Sequence, residues 1–298
     1  MEGIAFVEGS YVPIAEARVP MLDWGFLHSD ATYDVVHVWR GSFFRLQDHL
    51  ARFLRGVERL DLRVPVEADG IAPILAECVR RSGLRDAYVE MICTRGLPRP
   101  GSRDPREARN AFYAFAIPFV WIADAQKQET GLSLHISAQQ RISPHAVDPT
   151  VKNYHWLDFT RGLLDAYEHG AETAVLVDSA GNVVEGPGFN LFAVSGDVLS
   201  TPAEGVLDGI TRRTVIELAR DTGTTVREEL LPAKAVREAE EVFITSTAGG
   251  VMPVASVDGA PVGGGAPGPL TRRLRDAYWQ LHEDPRYATP VAYRSERS

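Results

Sequence analysis

Lysine is rare in this chain, and its rarity directs attention to Lys152. Of the 31 basic residues, only Lys127, Lys152 and Lys234 are lysines. Arginine stays protonated, whereas a desolvated lysine amine can act as a nucleophile and form a Schiff base. Lys152 stands in the segment 148–156, which reads as a turn between a strand and an aromatic helix, so an ordinary loop lysine is the alternative. Lys127 in a polar stretch and Lys234 beside Pro232 have the context of surface residues.

Two segments have the composition of an anion site. Gly209–Thr211 opens a predicted helix, whose first turn presents backbone N–H groups without partners in the helix. Ser246–Gly250 follows a predicted apolar strand, and hydroxyls with small residues at a strand end suit an anion. An ordinary helix cap and a plain turn are the alternatives. Taken together, the segments predict a phosphate site made of backbone amides and hydroxyls, without a lysine.

Glu185 is an acid in an unusual setting, because glycines surround it between apolar strands. Turn chemistry alone could account for Gly186 and Gly188. The functional interpretation is a carboxylate beside the pyridine nitrogen of pyridoxal 5′-phosphate (PLP), where its charge keeps the ring protonated and able to accept electrons. Arg52, on the flank of an amphipathic helix, has the residue type and position of a solvated charge.

Helical and strand patterns alternate along the chain and place these residues. Apolar residues recur at helical spacing over 44–62, and a second helix is predicted over 68–82. Strands over 86–94 and 111–121 follow, and between them lies a loop over 95–105, rich in Pro and Gly, of the kind that often forms a lid. Beyond the polar stretch, the patterns predict strands 132–138, 174–177, 189–194, 241–245 and 251–257, and helices 155–169, 211–220 and 269–282.

The length of 298 residues favours two domains. The pattern predicts a mixed α/β (α+β) fold in two domains, over residues 1–121 and 132–298. An interdomain linker over 122–131 joins them in this prediction.

Composition excludes several classes of function. The net charge of -9 opposes a nucleic-acid partner. No run of about 18 apolar residues is present, which excludes a membrane span and predicts a soluble protein. Two cysteines, Cys78 and Cys93, cannot define a disulfide framework or a zinc cluster, so a reduced, cytoplasmic setting is expected. The eight histidines lack metal-ligand spacing, so no metal is predicted, and no nucleotide-binding loop or specific hydrolase triad is found.

The order of these segments resembles the class IV (branched-chain-type fold) PLP aminotransferases, and within them the (R)-selective amine transaminases. Six motifs spread over nearly the whole chain carry the resemblance, namely Phe26–Val35, Phe44–Arg52, Asp148–Asn153, Glu185–Asn190, Gly209–Arg212 and Ser246–Gly250. It implies a branched-chain/D-amino-acid aminotransferase-like fold with PLP between two domains. The N-terminal α/β domain, over 1–121, is implied to be the smaller, and the C-terminal domain, over 132–298, to be the larger, PLP-binding one. It also implies a homodimer whose partners are small amine and keto-acid substrates.

The resemblance assigns a role to each matching position. Lys152 becomes the Schiff-base lysine and proton shuttle, and Glu185 the partner of the pyridine nitrogen. Arg52, Ile210 through its backbone N–H, Thr211 and Thr247 become the phosphate cup. Substrate is implied to contact Tyr33, Val35, Tyr88 and Ala248.

Departures from the family pattern refine the expected substrate. Branched-chain enzymes carry Tyr-x-Arg where this chain has Tyr88-Val89-Glu90, and an acid there opposes a substrate carboxylate. They also place a tyrosine where Leu157 stands, whereas Trp156 matches the amine transaminases. Both departures favour an amine donor.

Carboxylate binding points instead to the Pro- and Gly-rich loop. The stretch Thr94–Gly96 is shared with D-amino acid aminotransferases, which bind carboxylate through a loop arginine beyond it. Arg99 and Arg103 are both candidates here, and the sequence does not choose between them.

The expected activity is therefore transfer of an amino group from a primary (R)-amine to a keto acid such as pyruvate by a ping-pong mechanism. D-amino acids are a further expected class of donor. Three alternatives stay open. One is a D-amino acid or branched-chain amino acid aminotransferase. Another is a lyase on the same fold, such as aminodeoxychorismate lyase, and the third is a non-catalytic phosphate-ligand or PLP-binding module.

Overall fold

The structure is a computed structural model that describes residues 2–293. Its residues cluster into two compact units. Among the described residues, the first comprises 2–120, 151–154 and 282–293, and the second comprises 121–150 and 155–281. No helix within residues 2–293 is both long and apolar enough to cross a membrane.

The first unit is built on a seven-stranded sheet. Its strands are β1 (Ile4–Val7), β2 (Ser10–Pro13), β3 (Ala31–Trp39), β4 (Ser42–Phe44), β5 (Ala87–Leu97), β6 (Arg109–Pro118) and β18 (Ala288–Pro290). They lie in the order β18-β4-β3-β5-β6-β1-β2. The helices of this unit are α1 (Trp24–His28), α2 (Leu46–Arg59) and α3 (Ala68–Ser82), with 3-10 turns at Ile14–Glu16 and Pro105–Glu107.

One face of this sheet makes the core of the first unit. Alternate residues of a strand point to the same face, so Val36 and Val38 of β3 lie together. Both are fully buried and pack with Leu46, Leu50 and other apolar residues of α2 and α3. The helical spacing of these apolar residues is what buries one side of each helix against the sheet.

The second unit is built on an eleven-stranded sheet. Its strands are β7 (Leu132–Gln140), β8 (Thr173–Val177), β9 (Asn182–Val183), β10 (Glu185–Gly186), β11 (Phe189–Ser195), β12 (Val198–Pro202), β13 (Thr225–Glu229), β14 (Leu231–Pro232), β15 (Glu241–Ser246), β16 (Gly250–Val257) and β17 (Ala260–Pro261). Its helices are α4 (Ala125–Thr130), α5 (Leu157–Glu168), α6 (Ile210–Asp221), α7 (Ala233–Arg237) and α8 (Pro269–Gln280), and a 3-10 turn over Leu281–Glu283 follows α8.

The compact units differ from the predicted domains at three places. Residues 282–293 group with the first unit rather than with the domain predicted over 132–298, because β18 pairs with β4. Residues 151–154 do so as well, since Asn153 forms a β-bridge with Thr32. The predicted linker over 122–131 contains α4 and belongs to the second unit.

The predicted loop over 95–105 begins later than its composition suggests. β5 continues through Leu97, with a register shift between Thr94 and Leu97. Gly96 makes this possible, because its φ of +72° is in the left-handed region and a Cβ there would lie 1.9 Å from the carbonyl oxygen of Arg109.

Candidate active site

Lys152 belongs to a group of polar side chains in the first unit. Its backbone carbonyl accepts hydrogen bonds from the Thr32 hydroxyl, at 2.9 Å, and from the Tyr33 N–H, at 3.0 Å. Its Nζ lies 4.4 Å from the centre of the Tyr33 ring. The Tyr33 ring in turn stacks on Tyr154, with ring centres 4.3 Å apart. Strand β3 therefore fixes both the backbone and the amine of Lys152.

Strand register collects the predicted substrate residues of this unit on one face. Val35 pairs with Glu90, and His37 pairs with Tyr88, across β3 and β5. Directly paired residues share a face, and so do residues two apart on a strand, which places Tyr33, Val35, Tyr88 and Glu90 together.

Glu90 is the buried acid of this face. Its carboxylate accepts a hydrogen bond of 2.6 Å from the Tyr154 hydroxyl and one of 3.3 Å from the Tyr88 hydroxyl. Burial raises the pKa of Glu90, and the hydroxyl of Tyr154 and the nearby Lys152 oppose that rise. Burial beside Glu90 also raises the pKa of both Tyr88 and Tyr154, so these hydroxyls stay protonated donors. The sequence predicted no role for Tyr154, because only the fold brings its hydroxyl to the Glu90 carboxylate.

Arg52 is a buried residue rather than the solvated charge that its residue type suggested. Its Nε and Nη2 donate to the two oxygens of Asp34 at 2.7 and 2.8 Å, and His49 lies 2.8 Å from the same carboxylate. Burial raises the pKa of Asp34, but the charges and hydrogen bonds of Arg52 and His49 together outweigh burial and hold that pKa far below its usual range. This bidentate pair fixes the guanidinium on the α2 side of β3.

The candidate loop arginines are both at the surface. Arg99 forms an ion pair of 3.0 Å with Glu107, and its side chain is 67% exposed. Arg103 is exposed as well. Neither is held in the core, so each has room to reorient.

Glu185, in the second unit, is only 5% exposed and is fixed from two sides. One oxygen accepts a hydrogen bond of 3.2 Å from Arg141 Nε, and the other accepts one of 2.9 Å from the Leu207 N–H. Arg141 also binds Asp158 at 2.6 Å and lies 4.0 Å from the centre of the Phe159 ring. Sequence reasoning missed Arg141 and Asp158, since only the pairing of distant segments brings them to Glu185.

The predicted phosphate residues of this unit stand at the start of α6 and the end of β15. The residue that precedes α6, Gly209, has no side chain that could cap the helix. The N–H groups of the first turn therefore keep the capacity to bind an anion. A Cβ on Gly209 would lie 2.1 Å from Asn190 Oδ1, so any larger residue here would force the buried Asn190 side chain to move. Ile210 and Thr211 are both buried in that first turn, and the Thr211 hydroxyl lies 3.5 Å from the Tyr278 hydroxyl.

The turn after β15 offers further hydroxyls. Thr247 is partly buried, and the neighbouring Ala248 N–H donates to the Ser246 hydroxyl at 3.1 Å. The hydroxyl of Thr245 is buried and has no hydrogen-bond partner among the described residues. An uncapped helix start and an unused hydroxyl fit the phosphate of a cofactor.

Comparison with known proteins identifies the family. The family model for class IV aminotransferases matches residues 31–257. The chain is a class IV aminotransferase. Its cofactor is PLP, and the buried Glu185 and the start of α6 fit the ring nitrogen and the phosphate of that cofactor.

Relatives of this aminotransferase include a branched-chain-amino-acid aminotransferase of Escherichia coli K12. The two are 30% identical over 280 residues, which cover 92% of this chain and 91% of the relative. The crystal structure of an Escherichia coli branched-chain amino acid aminotransferase superposes with a TM-score of 0.92 at 26% identity, covering 98% of this chain and 100% of that one. The PLP form of a branched-chain amino acid aminotransferase from Thermobaculum terrenum gives 0.87 at 26% identity, covering 98% and 99%. The aminotransferase thus has the predicted mixed α/β fold of this family.

Proposed function

We propose that this aminotransferase moves the amino group of a primary (R)-amine to a keto acid such as pyruvate by a ping-pong mechanism, with D-amino acids as a second class of donor. The observation that carries the proposal is the place of Glu90. It is buried opposite Val35 and accepts hydrogen bonds from Tyr88 and Tyr154. In either protonation state this carboxyl supplies no positive charge for a donor carboxylate, whereas the apolar and aromatic neighbours suit an amine without one.

The chemistry follows from the residues. When bound, PLP supplies the electron sink for the substrate carbanion. Lys152 would hold the cofactor covalently through Nζ, and its amine, when free, would carry the proton at the reacting carbon. Glu185 supplies a fixed negative charge at the pyridine nitrogen.

The remaining assignments follow the family resemblance. Arg52, Thr211, Thr247 and the N–H of Ile210 bind the phosphate, and Ala248 contacts substrate. The active form is a homodimer in the cytoplasm, and light scattering of the purified protein tests the dimer.

A branched-chain amino acid donor is the second candidate. It is favoured by the relatives, since proteins named branched-chain-amino-acid aminotransferases are 30% identical to this chain over 92% of its length. The acid at position 90 argues against it, because the resemblance places an arginine there in branched-chain enzymes.

The donor preference separates the two candidates. With (R)- and (S)-1-phenylethylamine, D-alanine and L-leucine as donors, and pyruvate or 2-oxoglutarate as acceptor, we expect the highest kcat/KM for the (R)-amine. Glu90→Gln is expected to improve use of L-leucine relative to the (R)-amine by a few kcal/mol at most, because the amide cannot carry the negative charge with which an ionised Glu90 repels a donor carboxylate. The exposed acid Glu8 provides the matched control, Glu8→Gln. A wild-type preference for L-leucine over the (R)-amine contradicts the proposal.

The acceptor still carries a carboxylate, and we propose that a loop arginine binds it. To do so, Arg99 has to leave Glu107, whereas Arg103 is already exposed. Removing the responsible arginine is expected to raise the apparent KM for pyruvate or D-alanine about tenfold or more, because a charge-assisted hydrogen bond is lost. The apparent KM for (R)-1-phenylethylamine should stay unchanged. Steady-state kinetics of Arg99→Ala, Arg103→Ala and the double variant measure this.

Arg106 supplies the control for these variants. It lies in the same loop, is 87% exposed and pairs with Asp104, so Arg106→Ala tests the effect of losing one loop charge. Keto-acid kinetics that stay unchanged in the double variant would rule out the loop as the carboxylate site.

A further inference from the structure

Three side chains of the second unit, all of residue types that can bind a metal ion, form a cluster that has no role in transamination. His135 lies on β7, and Asp165 and His169 lie at the C-terminal end of α5. Their potential ligand atoms all lie within 4.8 Å of one another. His135 Nε2 is 3.4 Å from Asp165 Oδ2, and His169 Nδ1 is 3.3 Å from Asp165 Oδ1. Asp165 and His169 are four residues apart and so share one side of α5, but only the fold brings His135 to them.

The orientation of His135 leaves one ring nitrogen facing Asp165. Its Nδ1 lies 2.8 Å from Asp258 Oδ1, and Asp258 is itself held by Arg237 at 2.7 Å. Each ring nitrogen of His135 therefore faces a carboxylate oxygen, and a neutral imidazole has a proton for only one of them. Either a second proton on the ring or a cation between Nε2 and Asp165 satisfies the other contact, and the test below separates the two. A carboxylate behind the other nitrogen is also what orients histidines that bind metals.

The surroundings favour a cation at this place. The last turn of a helix carries a partial negative charge, and the backbone carbonyl of Asp165 already accepts a hydrogen bond of 2.8 Å from His169 Nδ1. The Ser137 hydroxyl donates to Asp165 Oδ2 at 2.5 Å and fixes the carboxylate. The side chain of His169 is 58% exposed, so its ring, now stacked on that of His135, can turn toward an ion.

We propose that His135, Asp165 and His169 form a binding site for a divalent transition-metal ion of the zinc class. Two imidazoles and a carboxylate are ligands that Zn²⁺ prefers, with water in the fourth position. Ligand atoms about 2.0–2.2 Å from a tetrahedral ion lie roughly 3.3–3.5 Å apart. The His135 Nε2–Asp165 Oδ2 and His169 Nδ1–Asp165 Oδ1 distances fall in that range, each to a different carboxylate oxygen. Asp158, which binds the Arg141 that holds Glu185, stands in the first turn of the same helix. The ion would therefore sit at the opposite end of α5 from the residues that support Glu185.

Calorimetric titration of the holoenzyme with ZnCl₂ tests the proposal. Before the titration, a chelator removes any bound metal from the protein, and the chelator and free cofactor are then removed. We expect saturable binding of one ion per chain. His135→Gln and His169→Gln are each expected to weaken it at least tenfold, and Asp258→Asn about 10–100-fold, the usual effect of losing an orienting carboxylate. His145 is exposed and outside the cluster, so His145→Gln is the matched control and should bind zinc like the wild type.

Two further measurements keep the test independent of folding and of catalysis. Thermal unfolding without metal checks that each variant folds, and the visible spectrum of the Co²⁺-loaded protein reports tetrahedral nitrogen and oxygen ligands. Absence of saturable zinc binding, or equal binding by the wild type and the His135→Gln/His169→Gln double variant, overturns the proposal. An NMR titration also overturns the proposal if zinc does not shift the ring resonances of His135 and His169 and His135 is doubly protonated. In that case a proton, not a metal ion, lies between His135 Nε2 and the Asp165 carboxylate.

Discussion

Replacing Lys152 with Ala is expected to abolish transamination and to remove the cofactor adduct that borohydride traps. The loss of turnover should be at least about 10⁴-fold, because the variant loses both the covalent attachment and the group that moves the proton. The wild-type holoenzyme should be yellow, and Lys152→Ala should lose the covalent adduct when it is reduced and digested for mass spectrometry.

The two other lysines supply the matched controls for this experiment. Lys127 pairs with Glu172 at 3.0 Å, and Lys234 is 81% exposed, 3.7 Å from Glu238. Lys127→Ala and Lys234→Ala should keep both the adduct and the activity. If either of them loses the adduct while Lys152→Ala keeps it, the assignment of Lys152 is wrong.

Replacing Glu185 with Gln is expected to reduce kcat strongly while PLP binding largely survives. The amide keeps the shape of the side chain but removes the charge that holds the ring nitrogen protonated. A preorganised charge of this kind contributes roughly 3–4 kcal/mol to transition-state stabilisation, which corresponds to a loss of about 10²–10³-fold. Single-turnover kinetics and cofactor titration measure the two effects separately.

The surface acid Glu238 offers a control for this change, since Glu238→Gln alters the net charge equally and should leave kcat unchanged. Loss of cofactor binding together with loss of activity in Glu185→Gln points to a structural role through Arg141. Turnover equal to that of the wild type contradicts the assignment of Glu185.

Helices were the part of the fold most readable from the sequence. The helix predicted over 68–82 coincides with α3, because its apolar residues follow helical spacing and Gly83, at a φ of +73°, ends it. The helix predicted over 44–62 is shorter, at Leu46–Arg59. Arg45 adopts a left-handed φ of +52° before it, and backbone geometry of that kind leaves no trace in hydrophobic spacing.

The contacts of the site were not readable in the same way. Glu90 stood out as a departure from a family pattern, but its hydrogen bonds to Tyr154 and Tyr88 depend on where distant strands meet. The same is true of Arg141, which reaches Glu185 from 44 residues away. The sequence therefore predicted the types of residue at the site, and the fold was needed to find what holds them.

The reaction of the holoenzyme with a donor in the absence of any keto acid tests the central claim most directly. Mixing with (R)-1-phenylethylamine should bleach the visible absorbance of the bound cofactor in a single turnover. The account predicts a larger second-order rate constant for this amine than for L-leucine, because Glu90 offers a donor carboxylate no positive partner. The expected preference over the (S)-enantiomer comes from the family resemblance. A faster reaction with L-leucine than with the (R)-amine would contradict the account and make the protein a branched-chain amino acid aminotransferase.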